Sequence, residues 1–114
     1  EIVRADFREL PDLVARRRIG FVYLDPPYHP VSLSSSFNAY SGGQFPARAQ
    51  IELAEVCRDL DRKGVRWLLS NSDCPFIRDL YRDFDLHEVR AARAINCKGD
   101  GRGQVGELAV RNFA

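Results

Sequence analysis

Methionine is absent from this 114-residue chain, position 1 included, so the sequence is expected to begin inside a longer protein. No apolar run approaches the ~18 residues that a membrane-crossing helix needs, and Glu1 opens no secretory signal. Neither sign of charge is in excess. With 17 Lys+Arg against 16 Asp+Glu the net charge is +1, which excludes a global pull on nucleic acid and leaves any such affinity to local charge. Cysteine is sparse: Cys57, Cys74 and Cys97 form no CxxC pair and have no metal-like spacing, and they read as reduced thiols of a cytoplasmic protein. What is present is 45% apolar residues on balanced charge, enough for one domain with a real core and against disorder.

Hydrophobic periodicity predicts an alternation of helices and strands. Asp6 to Arg18 reads as a short helix, with Pro11 early, Arg16, Arg17 and Arg18 at its negative end, and Gly20 as its stop. Phe21 to Leu24 is a short run of β-formers, long enough for a buried strand and too short for a helix. Asp25 to Gly43, rich in Pro, Ser and Gly, reads as a loop. At about 19 residues it is longer than an ordinary connection, which marks a functional or a disordered segment.

Pro46 is expected to open a second helix running to Lys63, and Gly64 to stop it. A strand follows over Val65 to Leu69, then a polar corner at Ser70, Asn71, Ser72 and Asp73. A helix over Pro75 to Phe84, a strand over Leu86 to Ile95, a turn over Asn96 to Gly106 and a strand over Leu108 to Phe113 complete the chain. Helical crossovers imply an α/β fold with parallel strands covered by helices, and the last two strands, joined without a helix, are expected to pair antiparallel. Ligands in such sheets sit beyond the carboxyl ends of the strands, which singles out Asp25 and Asn71.

Asp25-Pro26-Pro27-Tyr28 follows the first strand directly. Two prolines remove two backbone donors and stiffen both φ angles, leaving carbonyls that point outward. A carboxylate beside a fixed carbonyl is a pair of acceptors suited to an amine, and Tyr28 offers a flat face on which an aromatic base can stack. The alternative is an Asx-type turn with a surface tyrosine.

The stretch FVYLDPPYHPVSLSSSFNAY, then Phe45, Gln50 and LLSNSD, resembles the Dam-like DNA adenine methyltransferases. In that family DPPY is followed by a Pro, a Leu-Ser, a Phe, a Tyr and a further Phe, matched here by Pro30, Val31-Ser32, Phe37, Tyr40 and Phe45. The departures are Val31 in place of Leu and the serines 34–36 in place of a Thr-rich run. The resemblance implies a partial Rossmann-like methyltransferase sheet and methyl transfer from S-adenosylmethionine to the exocyclic amine of an adenine flipped out of double-stranded DNA, since that amine cannot be alkylated while paired and stacked. It gives Asp25 and the carbonyl of Pro26 the two amine hydrogens, stiffened by Pro27, and Tyr28 the base. Asp25, Asp6 and Phe7 then meet the cofactor, with Asp6 equally able to serve only as a helix cap. Pro30, Ser32, Phe37, Asn38 and Tyr40 would close over the base and meet DNA. A solvated loop is the alternative for the serines, and packing against the domain for the rings. Asn71 would line the pocket from the next strand, although Ser72 or Asp73 at the same corner also suits the cap of the Pro75 helix.

Other signals lead away from chemistry. Gly101 to Gly106 matches GxGxxG but precedes a β-like segment and reads as a hairpin turn. His29 reads as loop filler or a phosphate neighbour, and His87 as an ordinary strand residue. The basic span from Arg90, with Arg93, Lys98, Arg102 and Arg111, suits either a phosphate backbone or a solvated hairpin. The family's FxGxG-like cofactor turn and its sequence-reading segment are not present. The chain, 1–114, is therefore expected to be the C-terminal part of a catalytic domain whose partners are the N-terminal half of the same enzyme and double-stranded DNA, with neither metal nor membrane involved. Two alternatives stand beside adenine: a cytosine exocyclic-amine methyltransferase, and a non-catalytic DNA-binding remnant.

Overall fold

A computed structural model of the chain describes residues 3–30, 45–89 and 106–114. A 3₁₀ turn at Phe7–Glu9 leads into α1 (Leu10–Arg17), then β1 (Phe21–Leu24), α2 (Ala47–Arg62), β2 (Arg66–Ser72), α3 (Pro75–Leu80), β3 (Asp85–Val89) and β4 (Glu107–Arg111). The sheet has the order β1-β2-β4-β3. β1 and β2 are parallel, joined through α2, while β4 lies antiparallel to both β2 and β3. β3 therefore runs in the direction of β1 and β2, and β4 is inserted between β2 and β3. The expected antiparallel pairing of the last two strands is present. The insertion is not what element order alone suggests, because β2 and β3 are consecutive strands that do not pair.

Several boundaries differ from expectation for local reasons. Arg18, not Gly20, ends α1 by adopting a left-handed conformation (φ 56), and Ile19 N–H then bonds back to the Val14 carbonyl at 3.0 Å. Pro46 is the N-cap of α2 and not its first residue, with ψ at 171°. Gly64, with φ +80, supplies the left-handed turn after α2, and Val65 N–H reaches the Leu60 carbonyl at 2.9 Å. β2 does not stop at Leu69 but continues to Ser72, because β4 pairs with its last residues: Asn71 faces Leu108 and Ser72 faces Glu107. α3 ends at Leu80, and turns carry the chain through Phe84. The expected strand residues 90–95 and the GxGxxG residues 101–105 lie outside the described residues.

Strand alternation assigns Val22, Leu24, Trp67, Leu69, Leu108 and Val110 to one sheet face. Val14 of α1, Leu53, Cys57 and Leu60 of α2 and Ile77 of α3 share one core with them. Trp67 is its hub: fully buried, it packs edge-on against Phe84 (4.8 Å) and Tyr81 (6.1 Å) and donates its indole N–H to the Cys57 carbonyl at 2.9 Å. Each such buried side chain contributes roughly 1.5–3 kcal/mol relative to exposure. The opposite face carries Phe21 and Tyr23 outward, Tyr23 at 55% exposure. Among the described residues, helices cover one side of the sheet only. None of these helices is long and apolar enough to cross a membrane.

Candidate active site

The diproline corner begins where the ladder must end. Leu24 is the last residue of β1 to pair with β2, opposite Leu69. Pro26 and Pro27 have no N–H to continue it, so β2 runs on past the corner with its β1-side edge unmatched. Side chains of β2 take over that edge. Asn71 Oδ1 accepts the His29 backbone N–H at 3.0 Å, and the Ser72 hydroxyl donates to the His29 carbonyl at 2.5 Å. From α2, Gln50 Nε2 donates to the Pro27 carbonyl at 2.9 Å while Gln50 Oε1 accepts from Asn71 Nδ2 at 3.0 Å.

Asp25 is exposed, and neither a hydrogen bond nor an ion pair engages its carboxylate among the described residues. Asp25 and Pro26 line a pocket of about 210 Å³ with Phe7, Tyr23, Leu24, Phe45 and Leu53. Phe7 and Phe45 wall it with tilted rings 5.7 Å apart. Tyr28 is 36% exposed, outside the core cluster, and its hydroxyl donates to Glu107 Oε1 at 3.4 Å. Partial burial first, and then the negative charge of Glu107, raise the Tyr28 pKa above the usual phenol range, so the ring is a neutral phenol at neutral pH. Beside it, Tyr23 and Ser70 share a hydroxyl–hydroxyl bond at 3.0 Å on the open sheet face.

The other residues singled out in the sequence fall into three groups. Phe7 lies in the same pocket as Asp25, 18 positions further on in the chain, so the fold brings these two together. Asp6 lines an adjacent hollow but its carboxylate is engaged: it caps the 3₁₀ turn through Arg8 N–H at 2.9 Å and pairs with the Arg8 guanidinium at 3.0 Å. The backbone bond to Arg8 is the main reason its pKa lies below the ordinary carboxylate value. Arg8 in turn reaches Glu52 of α2, Nε to Oε1 at 3.0 Å.

Asn71 departs from expectation. It is fully buried, with both ends of its amide engaged, and presents nothing to DNA or a base pocket; its place on the buried face, two residues beyond Leu69, is the physical reason. The neighbouring caps depart too. Cys74 is the N-cap of α3, Ser72 holds His29, and Asp73 forms a paired bond to Arg78 at 2.6 and 3.0 Å, which lowers the Asp73 pKa. His29 packs into the domain: its ring lies 4.6 Å from that of Phe76, and burial lowers its pKa. Arg111 pairs with Asp85 at 2.9 Å and lies over Phe113, a structural role. Ser32, Phe37, Asn38, Tyr40, Arg90, Arg93, Lys98 and Arg102 lie outside the described residues.

Two residues of the site carry more than their motif suggests. Gln50 sits three, four and seven residues before Leu53, Ala54 and Cys57, a polar group on an apolar helix stripe. A fully buried amide at such a position needs partners, and that need is the signal for a built network. Phe45 likewise joins Phe7 at the pocket wall. Cys57 carries no nucleophilic role, since burial pushes its thiol up to about 12.

A β-strand that ends in a carboxylate and a diproline turn, beside a pocket walled by aromatic rings, defines an α/β site suited to a planar amine-bearing ring. The D12 class N6 adenine-specific DNA methyltransferase model matches residues 6–95, and the chain belongs to that family. Among curated relatives, the Type II methyltransferase M1.LlaDCHI of Lactococcus lactis subsp. cremoris is 41% identical over 82% of the chain and 33% of its own length. The Type II methyltransferase M.MjaIII of Methanocaldococcus jannaschii is 40% identical over 99% of the chain and 39% of its own length. The DNA adenine methylase of Escherichia coli (strain K12) is 38% identical over 76% of the chain and 31% of its own length. The chain thus spans about a third of the length of these relatives.

Proposed function

We propose that the protein carrying this chain is an S-adenosylmethionine-dependent DNA methyltransferase, acting on the exocyclic amine of an adenine extruded from double-stranded DNA. The observation that carries this reading is the carboxylate of Asp25, unengaged among the described residues, in an aromatic-walled pocket and directly ahead of the diproline corner. The names of the relatives supply the base: adenine.

Asp25 and the Pro26 carbonyl, which no hydrogen bond engages among the described residues, are two acceptors one peptide apart. Accepting both amine hydrogens, they hold the nitrogen and draw its lone pair out of conjugation with the ring. The Asp25 carboxylate also opposes the positive charge that develops on nitrogen. Tyr28 stacks on the base, and no covalent enzyme intermediate is required. Pro30 continues the corner toward the DNA, with Ser32, Phe37, Asn38 and Tyr40 as further contacts.

The flat apolar walls of Phe7 and Phe45 fit the ring of the cofactor, and Asp25 fits its polar part. Asp6 contributes the cap that fixes Phe7. When bound, S-adenosylmethionine supplies an electrophilic methyl group. Residues 1–114 serve as the C-terminal part of the catalytic domain, and the remaining cofactor and sequence-reading contacts come from an N-terminal half. The site of action is cytoplasmic DNA.

Incubation of the complete protein with labelled S-adenosylmethionine and duplex DNA, followed by nucleoside digestion, tests this. Label in N6-methyladenine is expected. Label in cytosine, or none, contradicts the reading.

A further inference from the structure

We infer that Gln50 and Asn71 are positioning residues: a buried two-amide relay sets the orientation of the Pro27 carbonyl and thereby aims Asp25, Pro26 and Tyr28 at the base. The inference rests on the function proposed above and extends it to two side chains that do not touch substrate.

The relay has one consistent polarity. The His29 and Ser72 backbone N–H groups can only donate, and both point at Asn71 Oδ1, at 3.0 and 2.7 Å. That fixes the amide of Asn71 with Nδ2 toward Gln50. Gln50 must then present Oε1 to Asn71, at 3.0 Å, and Nε2 to the Pro27 carbonyl, at 2.9 Å. The Pro27 carbonyl can only accept, so every member is matched. Both amides are fully buried, so water cannot substitute for a lost partner.

The relay grips the corner on both sides of Tyr28. Pro27 is held through its carbonyl and His29 through its N–H, and the Ser72 hydroxyl adds the His29 carbonyl. The peptide planes flanking Tyr28 are thereby set. The Pro26 carbonyl, one peptide earlier, keeps no internal partner among the described residues, and Pro26 lines the pocket beside Asp25. The prolines supply stiffness, and the relay supplies direction. Misplacement of reacting groups by about 1 Å costs on the order of 100-fold in rate.

Gln50→Glu in the complete protein is a near-isosteric probe. When protonated, the introduced carboxyl donates O–H to the Pro27 carbonyl while accepting from Asn71, so it reproduces the relay. Ionised, it cannot donate, and it sets a negative oxygen against the carbonyl. The ratio of variant to wild-type kcat is expected to fall at least 10-fold from pH 5.5 to 8.5 as order-of-magnitude limits, with KM for DNA changing less than threefold. Ionised, Asn71→Asp keeps the acceptor and loses the donor to Gln50, so it is expected to lower kcat at least 10-fold at pH 8.5. Amide exchange read by NMR supplies a second measurement. His29 N–H is expected to be protected in wild type and in acidic Gln50→Glu, and to lose protection as that variant ionises.

A kcat ratio for Gln50→Glu within twofold of wild type across the range overturns the inference. So does an unprotected His29 N–H in wild type, or a variant that loses fold and activity together with no recovery at acidic pH. If wild type transfers no methyl group to adenine, the functional reading fails by itself, while the exchange data still judge the relay.

Discussion

Replacing Tyr28 separates what the corner does for a base from what it does for the fold. The ring is 36% exposed and belongs to no part of the buried core, and its hydroxyl interacts with Ser70 and, at a long 3.4 Å, with Glu107. Tyr28→Ala is therefore expected to cost under about 1 kcal/mol of stability, within the range of ordinary surface substitutions. Stacking of a base on an aromatic side chain contributes about 1–3 kcal/mol, so base capture is expected to weaken between roughly 5-fold and 150-fold. Tyr28→Phe keeps the ring and loses only what the hydroxyl makes with Glu107 and Ser70, and capture is expected to stay within about threefold of wild type by the same stacking estimate. The assay is a fluorescence titration of the complete protein with duplex DNA carrying 2-aminopurine at the target position, paired with a urea melt of each variant. Tyr28→Ala that captures the base as well as wild type refutes the stacking role. Equal losses for Phe and Ala would show that the hydroxyl, and not the ring, is what matters.

Leu60 is fully buried where α2 meets the sheet, and Leu60→Ala is expected to cost about 2–5 kcal/mol, read as a lower urea midpoint at an unchanged slope. The Asp73–Arg78 pair gives a signed pH dependence. The folded pKa of Asp73 lies below 3.8, mainly through its bond to Arg78, so its contribution is present above 3.8 and is lost as pH falls through the folded value. Urea midpoints are expected to drop with acidification below 3.8 and to drop less in Asp73→Asn; equal acid sensitivity in the two contradicts this.

The elements closest to the chemistry were the most legible. Phe21–Leu24 and the diproline corner are local patterns, since a short β-forming run and two missing N–H groups leave the chain few alternatives. The apolar stripe of α2 was equally plain. The insertion of β4 between β2 and β3 was not, because periodicity reports which face a side chain takes and not which strand lies beside it. Strand pairing with β4 also carried β2 on to Ser72, through a stretch whose polar residues suggest a turn. Asn71 illustrates the cost of reading polarity before period. Trp67, Leu69 and Asn71 share one face, and that alternation, once β2 is extended, assigns Asn71 to the interior.

The two acceptors at the end of β1 are the centre of the proposed chemistry. Labelled-methyl transfer to duplex DNA by Asp25→Ala, measured beside wild type with matched urea melts, tests it most directly. Transfer to adenine is expected to vanish while the melt stays within about 1 kcal/mol of wild type, since Asp25 is exposed and engages no partner in the described fold. An Asp25→Ala protein that still methylates adenine at the wild-type rate would contradict it.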